Sequence, residues 1–153
     1  MTDGTDAISG ATVVLSDSEE FTSSKTTDSD GVVIFEEIDN GTYNLTVSKS
    51  DYTTYTETIS VSGADITVDV ELTPTRTVSF TVDDGTDPIQ GATVTIDGDT
   101  SNKKTTGSSG GCTATLADGE HEIVVSKDGY TTETETITTD STHNSFTISL
   151  TTS

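Results

Sequence analysis

The sequence is poor in the residues that most often carry crosslinks or chemistry. Its 153 residues include one cysteine, Cys112, two histidines and no tryptophan. One cysteine excludes an intrachain disulfide, and two histidines cannot form a three-histidine zinc site. No Ser, His and acidic residue recur together at a spacing that suits a catalytic triad. We therefore expect a protein that is not an enzyme and has no resident cofactor.

Basic residues and long apolar runs are also scarce. Six Lys and Arg face 27 Asp and Glu, which gives a net charge of −21. Such a surface repels phosphates, so we expect no nucleic-acid partner. No apolar run approaches the ~18 residues of a membrane span, so we expect no membrane insertion. The first ten residues lack the basic and apolar regions of a signal peptide. This leaves a mature fragment, or a chain that is made and assembled in the cytoplasm.

The excess of acidic residues has two interpretations. Dense carboxylates keep a protein soluble but destabilise its compact state by self-repulsion, which salt screens. A saline, halophilic habitat is one explanation, and an ordinary acidic surface domain is the other.

Hydrophobic residues make up only 29% of the chain. Low apolar content with high net charge is typical of disorder, but here apolar and polar residues alternate in short threonine-rich segments between Gly, Asp and Asn turns. This alternation predicts an all-β sandwich. The predicted strands are 11–15, 21–27, 32–35, 42–48, 52–61 and 66–72, then 76–82, 92–96, 112–116, 121–125, 130–138 and 146–150.

Two long phrases occur twice, which indicates an internal repeat. GTYNLTVSKSDYTTYTETI returns as GEHEIVVSKDGYTTETETI, and DGTDAISGATVVL returns as DGTDPIQGATVTI. The matching segments are 41–59 with 119–137, and 3–15 with 84–96. We therefore predict two tandem β-sandwich domains, residues 1–74 and residues 75–153.

The first repeat lacks the opening strand of the second. The counterpart of residues 76–82 would fall just before Met1, so the first repeat is expected to have an unpaired edge beside Ala11–Leu15, or a gap. An exposed edge invites pairing with another chain. Three explanations stay open: a cut from a longer array, a strand donated by another subunit, or a sandwich that tolerates a shorter sheet.

The turn and strand phrases carry a family resemblance. Its residues are Asp84, Gly85, Pro88, Ile89, Gly91, Ala92, Val94 and Ile96 in the second repeat, and Thr27, Asp28, Asp30, Gly31, Phe35, Gly41, Tyr43, Leu45, Val47, Lys49 and Tyr52 in the first. The pattern resembles carboxypeptidase regulatory-like domains, which have an Ig-like, transthyretin-like antiparallel β-sandwich and are similar to PEGA and Cna-B repeats.

The resemblance implies an accessory, non-catalytic role. Such modules occur on cell-surface adhesins, secreted enzymes, and viral tail or capsid proteins. Cna-B domains can carry a Lys–Asn isopeptide bond that needs a lysine on the first strand. The corresponding strand here contains Arg76 and no lysine, so the resemblance does not extend to that bond.

An aspartate-rich turn is the metal candidate. Asp28 and Asp30, with Asp39 nearby, offer the hard oxygen ligands that calcium prefers. The second repeat has Gly107 and Ser109 in place of the first two, so a site shared by both repeats is excluded. The alternative is a turn in which aspartate only closes the backbone.

The single cysteine, one histidine and two threonine runs are further candidates for a functional or a structural role. Cys112 aligns with an inward position and is predicted to be a core thiol, and His121 is predicted to be a packing residue. The runs TTYTET (53–58) and TTETET (131–136) would expose rows of threonine hydroxyls. These rows are either soluble strand faces or a contact surface for a glycan.

From these features we predict a structural or display module on the exterior of a virion, filament or cell envelope, located on an extracellular or virion surface. Its partners would be other subunits that pair with the exposed edge of the first repeat. One alternative is an adhesin-type module that binds surface glycan or protein. Another is the accessory domain of a secreted enzyme.

Overall fold

The computed structural model describes residues 1–153 and contains strands but no helices. The chain divides into two compact units, Met1–Pro74 and Thr75–Ser153. The predicted all-β fold class is thus confirmed. No helix is present that has the length and apolar character needed to cross a membrane.

Unit 1 contains one regular antiparallel sheet. Its strands are β1 (Thr12–Ser16), β2 (Thr22–Thr26), β3 (Gly41–Ser48) and β4 (Tyr55–Val61). Their order in the sheet is β2-β1-β3-β4. β2 is therefore at an edge, as its polar sequence predicts.

The core of unit 1 follows from the alternation of β1 and β3. Val13 lies opposite Val47, and Leu15 lies opposite Leu45, so one face of the sheet is continuously apolar. All four side chains are buried. Val70 and Leu72, from the end of the unit, complete this core from the other side.

Unit 2 is a sandwich of two sheets. Its strands are β5 (Thr75–Asp83), β6 (Thr93–Ile96), β7 (Lys104–Thr105), β8 (Gly111–Ala117), β9 (Gly119–Ser126), β10 (Glu133–Thr139) and β11 (Ser145–Ser149). One sheet has the order β10-β9-β6-β7 and the other β11-β5-β8. Six of the seven strands were predicted, and β7 is a two-residue addition within the long 97–111 connection.

The two sheets of unit 2 share one core. Phe80 at the centre of β5 is 1% exposed, and its ring stacks on Phe146 of β11 at 6.3 Å between centroids. Ile123 and Val125 of β9 are fully buried in the same cluster, contributed by the opposite sheet. β11 pairs with β5 in parallel, whereas the other strand pairs of both units are antiparallel. The connection between these two strands runs through the whole opposite sheet, and such a long crossover permits parallel pairing.

Two strands predicted in unit 1 do not form. Residues 32–35 and 66–72 are outside any strand, although Val33, Phe35 and Val68 still pack against the core. Their counterparts in unit 2, β8 and β11, both pair with β5. Within residues 1–74 only Met1 and Thr2 correspond to β5, at its last two positions, so most of these two segments lacks the strand that would align it.

The prediction of an unpaired edge beside Ala11–Leu15 is also wrong. β1 is an interior strand, paired with β2 on one side and β3 on the other. The counterpart of β5 belongs to the other layer of the fold. Its absence therefore leaves a gap between residues 32–38 and 66–72, and the sheet that contains β1 is complete.

Candidate functional site

A buried threonine ties together the entry of β1 and the end of β2. Thr27 is 4% exposed, its Oγ1 accepts the Ala11 amide hydrogen at 2.9 Å, and its hydroxyl donates to the Ile8 carbonyl at 2.7 Å. Lys49, which ends β3, donates from Nζ to the Ser9 carbonyl at 2.8 Å. These polar groups close the bend that leads into β1.

Unit 2 repeats the arrangement with its own residues. Thr106 accepts the Ala92 amide hydrogen at 2.9 Å and donates to the Ile89 carbonyl at 2.6 Å. Lys127 Nζ donates to the Gly91 carbonyl at 3.3 Å. The lysine of the repeated VSK phrase thus contacts backbone in both units. We assign the phrase to the scaffold.

The predicted metal residues close turns in unit 1. Asp28 Oδ1 accepts the amide hydrogens of Asp30 at 3.0 Å and Val32 at 2.9 Å. Asp39 contributes its backbone carbonyl, which accepts the Tyr43 hydroxyl at 3.0 Å. The chain brings no three His, Cys, Asp or Glu side chains together in a group that could hold a metal ion, so Asp39 does not join the other two aspartates in such a group. Calcium binding at this turn stays a prediction.

Cys112 lies on β8, half buried, and its side chain packs against the core of unit 2. Burial raises the pKa of this thiol above its ordinary value, against a smaller opposing effect of Lys104. Because the thiolate is the nucleophilic form, a raised pKa disfavours the reactive form of this cysteine near neutral pH. The placement agrees with the predicted core role.

His121 has a polar role that the repeat alignment missed. Its Nδ1 lies 2.7 Å from Asp97 Oδ2, and its Nε2 lies 2.9 Å from the Ala117 carbonyl oxygen. Burial lowers the pKa of His121, but the hydrogen bonds to Ala117 and Asp97 outweigh this effect and raise the pKa above its ordinary value. The ring therefore joins the start of β9 to the turn after β6. The sequence shows Asp97 in that turn, but nothing in the sequence indicates that its partner is His121, 24 residues further along the chain.

An open cleft of about 540 Å³ lies beside this turn in unit 2. Its wall combines the apolar ends of β6 and β8 with the polar 97–104 connection. The lining residues are Ile96, Asp97, Asp99, Asn102, Lys104, Ala114, Thr115 and Leu116.

The threonine rows occupy edge strands in both units. β4 is at the edge of its sheet and exposes Thr56, Glu57 and Thr58. β10 is likewise at an edge and exposes its first four residues, ETET, at 133–136. Alternating Glu on an edge strand discourages pairing with another sheet. The threonine rows therefore lie on solvent-exposed edge strands, at equivalent positions in the two units.

Neither unit assembles a catalytic group from these parts. The ring of His121 pairs with the half-exposed Asp97 and joins β9 to the turn after β6, and the one thiol has a raised pKa. What the fold defines is a pair of tandem β modules.

Comparison with family models identifies these modules. Residues 2–73 match the model of the carboxypeptidase regulatory-like domain, and residues 85–153 match the model of the PEGA domain. The resemblance drawn from the sequence is thus confirmed, and both matched families are families of β domains. A search of curated proteins found no significant match.

Solved structures give distant similarities over the whole chain. One is the Bacillus anthracis TIE protein, at 18% identity and a TM-score of 0.45, with 99% of this chain covered. The chain spans about a third of that protein, 32% of its length. Another is a minor pilin of Streptococcus agalactiae, at 16% identity and a TM-score of 0.44, with 97% of this chain and 85% of the pilin covered.

Proposed function

We propose that the protein is a non-catalytic structural or display module on the exterior of a virion, filament or cell envelope. In that setting it serves as a stalk, a decoration or an assembly subunit. The proposal extends the accessory role of the two matched domain families to this chain, which is an argument by analogy of fold.

One observation carries the proposal. In both units, the distinctive polar residues of the repeat hold backbone in place. The hydroxyls of Thr27 and Thr106 bridge two backbone segments, and Lys49 and Lys127 contact carbonyl oxygens. Because these four residues of the repeat stabilise the backbone, their recurrence favours a module whose role is to keep its shape, such as a spacer.

The surface supports an exterior location. A net charge of −21 on 153 residues keeps such a module soluble and repels other acidic surfaces. The two edges rich in Thr and Glu are blocked against sheet extension in the same way. These properties suit a module displayed in solution at high local density.

Antibody access to intact material tests this location. Polyclonal antibodies against the purified chain are applied to intact cells or particles of the source, and in parallel to lysed material. We expect comparable labelling of both preparations, and loss of the intact-cell signal after external protease treatment. Labelling that appears only after lysis would contradict the proposal.

The exposed Thr and Glu rows favour one second candidate, an adhesin-type module that binds glycan or protein on another surface. Thr56 and Thr58 of β4 present hydroxyls on an edge strand of unit 1. Thr134 and Thr136 of β10 occupy the equivalent positions on an edge strand of unit 2. A glycan array probed with the labelled chain tests this candidate. Binding that is lost in Thr56→Ala/Thr58→Ala would support it, and an array without hits would remove the glycan version. The remaining alternative, an accessory domain of a secreted enzyme, has no observation in its favour beyond the family itself.

A further inference from the structure

One edge of unit 2 lacks the protection that most other sheet edges of the chain carry. Edge strands usually contain charged residues or proline, which discourage pairing with another chain. The edge strands β2, β4, β7 and β10 each contain lysine or glutamate, whereas β8 and β11 contain no charged residue. β8 is the longer of these two, with seven residues against five. It is therefore the longest unprotected edge of the chain.

The hydrogen bonds around β5 show which backbone groups of β8 are free. The amide of Val82 donates to the Gly110 carbonyl at 2.9 Å, whereas the amide of Ser79 bonds towards β11. Residues of an antiparallel pair bond to their partner strand at every second position. In the register of β5 with β8, the even-numbered residues of β8 therefore bond to β5, and Thr113 and Thr115 direct their N–H and C=O groups away from it. β8 has no second partner strand, and neither threonine backbone bonds to a loop.

The open cleft of unit 2 lies beside this edge. Thr115 is one of its lining residues, and its apolar part is formed by Ile96, Ala114 and Leu116. Ala114 and Leu116 alternate with exposed threonines and point to the inner face of the sheet, against the core. A strand added beside β8 would carry its own inward side chains in line with them, over the cleft. The cleft volume of about 540 Å³ is within the range of about 300–1,000 Å³ that is usual for ligand sites.

The charge of the chain selects among the possible occupants of this edge. Asp97, Asp99 and Lys104 line the cleft together, and Asp97 is already paired with His121, so the cleft itself favours apolar side chains. The chain as a whole carries a charge of −21, which attracts basic segments and repels acidic ones. A second copy of the chain is repelled by the same charge. No strand of the chain contains more than one Lys or Arg, so the matching segment belongs to another protein.

We propose that β8 and its cleft bind an extended, basic segment of another protein by strand addition. Residues of the segment that lie opposite Thr113 and Thr115 bond to their backbone groups and carry basic side chains on the outer face of the sheet. The residues between them are apolar and enter the cleft over Ile96, Ala114 and Leu116. The main-chain bonds provide affinity, and the cleft selects the side chains. This binding goes beyond the display function proposed above and does not depend on it.

Titration of the intact, isotope-labelled protein with the peptide KVKVKVK tests the proposal. In the proposed register, its lysines lie opposite Thr113 and Thr115 and its valines enter the cleft. We expect saturable shifts of the backbone signals of β8 and of residues 96–104, with slower amide exchange at the two threonines. Binding should weaken in molar salt, because salt screens the attraction between the basic peptide and the acidic chain.

Three control peptides separate the components of this binding. KSKSKSK keeps the charge and lacks the apolar side chains, and EVEVEVE keeps the apolar side chains and reverses the charge. The third control is KVKVKVK methylated at the backbone nitrogens of its two central lysines, which removes donors that face β8. The loss of two hydrogen bonds is worth about tenfold or more in affinity. We expect each control to bind at least that much more weakly than KVKVKVK.

Two protein variants test the edge itself. Thr115→Pro removes an amide that points away from β5, a change that edge strands tolerate, and Thr115→Val keeps the amide. We expect KVKVKVK to bind the valine variant as it binds the unaltered protein, and to lose its binding to the proline variant. If Thr115→Pro unfolds unit 2, the methylated peptide tests the same hydrogen bonds on the unaltered protein.

The outcomes separate this proposal from its alternatives. Saturable binding of KVKVKVK at β8, lost in the controls and in Thr115→Pro, supports it. Equal binding of any control peptide, or no saturable binding of KVKVKVK, overturns it. Shifts confined to unit 1 or to the β10 edge would also overturn it. Shifts of β8 that grow with protein concentration in the absence of peptide would show that a second copy covers this edge, and would overturn the choice of another protein.

Discussion

The buried bridge made by Thr27 offers the sharpest test of how each unit is held together. In Thr27→Val a methyl group replaces the hydroxyl at nearly constant volume. The Ala11 amide hydrogen and the Ile8 carbonyl then lose their partner at a site where the side chain is 4% exposed. A buried polar group without a partner costs about 1–3 kcal/mol, so the pair is expected to cost about 2–6 kcal/mol.

That loss is large for a domain of this size. A unit of this length has about 4–11 kcal/mol of total stability. Even the lower bound of about 2 kcal/mol is expected to lower the unfolding temperature by about 8–16 °C. Urea denaturation followed by backbone signals of β1 and β3 measures the effect on unit 1.

The neighbouring residue provides the control. Thr26 lies on β2 with its side chain exposed, so Thr26→Val is expected to change stability by less than about 0.5 kcal/mol. Thr106→Val with Thr105→Val repeats the pair in unit 2. If Thr27→Val and Thr26→Val unfold at the same urea concentration, the bridge does not stabilise the fold and the scaffold interpretation fails.

Three further predictions concern pH, salt and calcium. Because the pKa of His121 is raised in the folded state, its contribution is fully present below the ordinary value of about 6.5 and lost as the pH rises through the raised value. Denaturation of unit 2 from pH 5.5 to pH 8 should therefore show a loss of stability that His121→Gln lacks, and parallel profiles would contradict it. The unfolding midpoint of the whole chain should rise from low to molar salt, because salt screens the net charge of −21, and a flat profile would count against a saline habitat. Calcium should shift the amide signals of the 28–31 turn saturably, and Asp28→Asn/Asp30→Asn should abolish the shift. An equal response in that double variant would remove the site.

Much of the local structure could be predicted because a strand has a period of two residues. The alternation in residues 43–47 placed Tyr43, Leu45 and Val47 on the buried face, and all three are buried. The same argument identified β5 and its three inward side chains. The repeated phrases also indicated the domain family, because their glycine and aspartate turns recur at matching positions in both halves.

The hydrogen-bond partners of the polar residues were only partly predictable from the sequence. The repeat marked Thr27 and Lys49, but their partners lie about twenty to forty residues away in the sequence, at Ile8 and Ser9. His121 was predicted to pack like its counterpart Tyr43, whereas it bonds to Asp97. A hydrogen bond depends on which distant backbone or side chain comes within reach, and no local period records that.

Repetition and alternation in the sequence by themselves determined an all-β chain of two related repeats, most of the buried apolar positions, and that residues 1–74 contain no full counterpart of β5. Only the tertiary structure decided which sheet this difference affects. β1 has partners on both sides, so the missing strand leaves no open edge there. Residues 32–35 and 66–72 keep their apolar alternation yet form no strand, because a strand needs a hydrogen-bonded neighbour and theirs is absent. Alternation directs side chains to the core within a segment, whereas strand formation depends on a backbone far away in the chain.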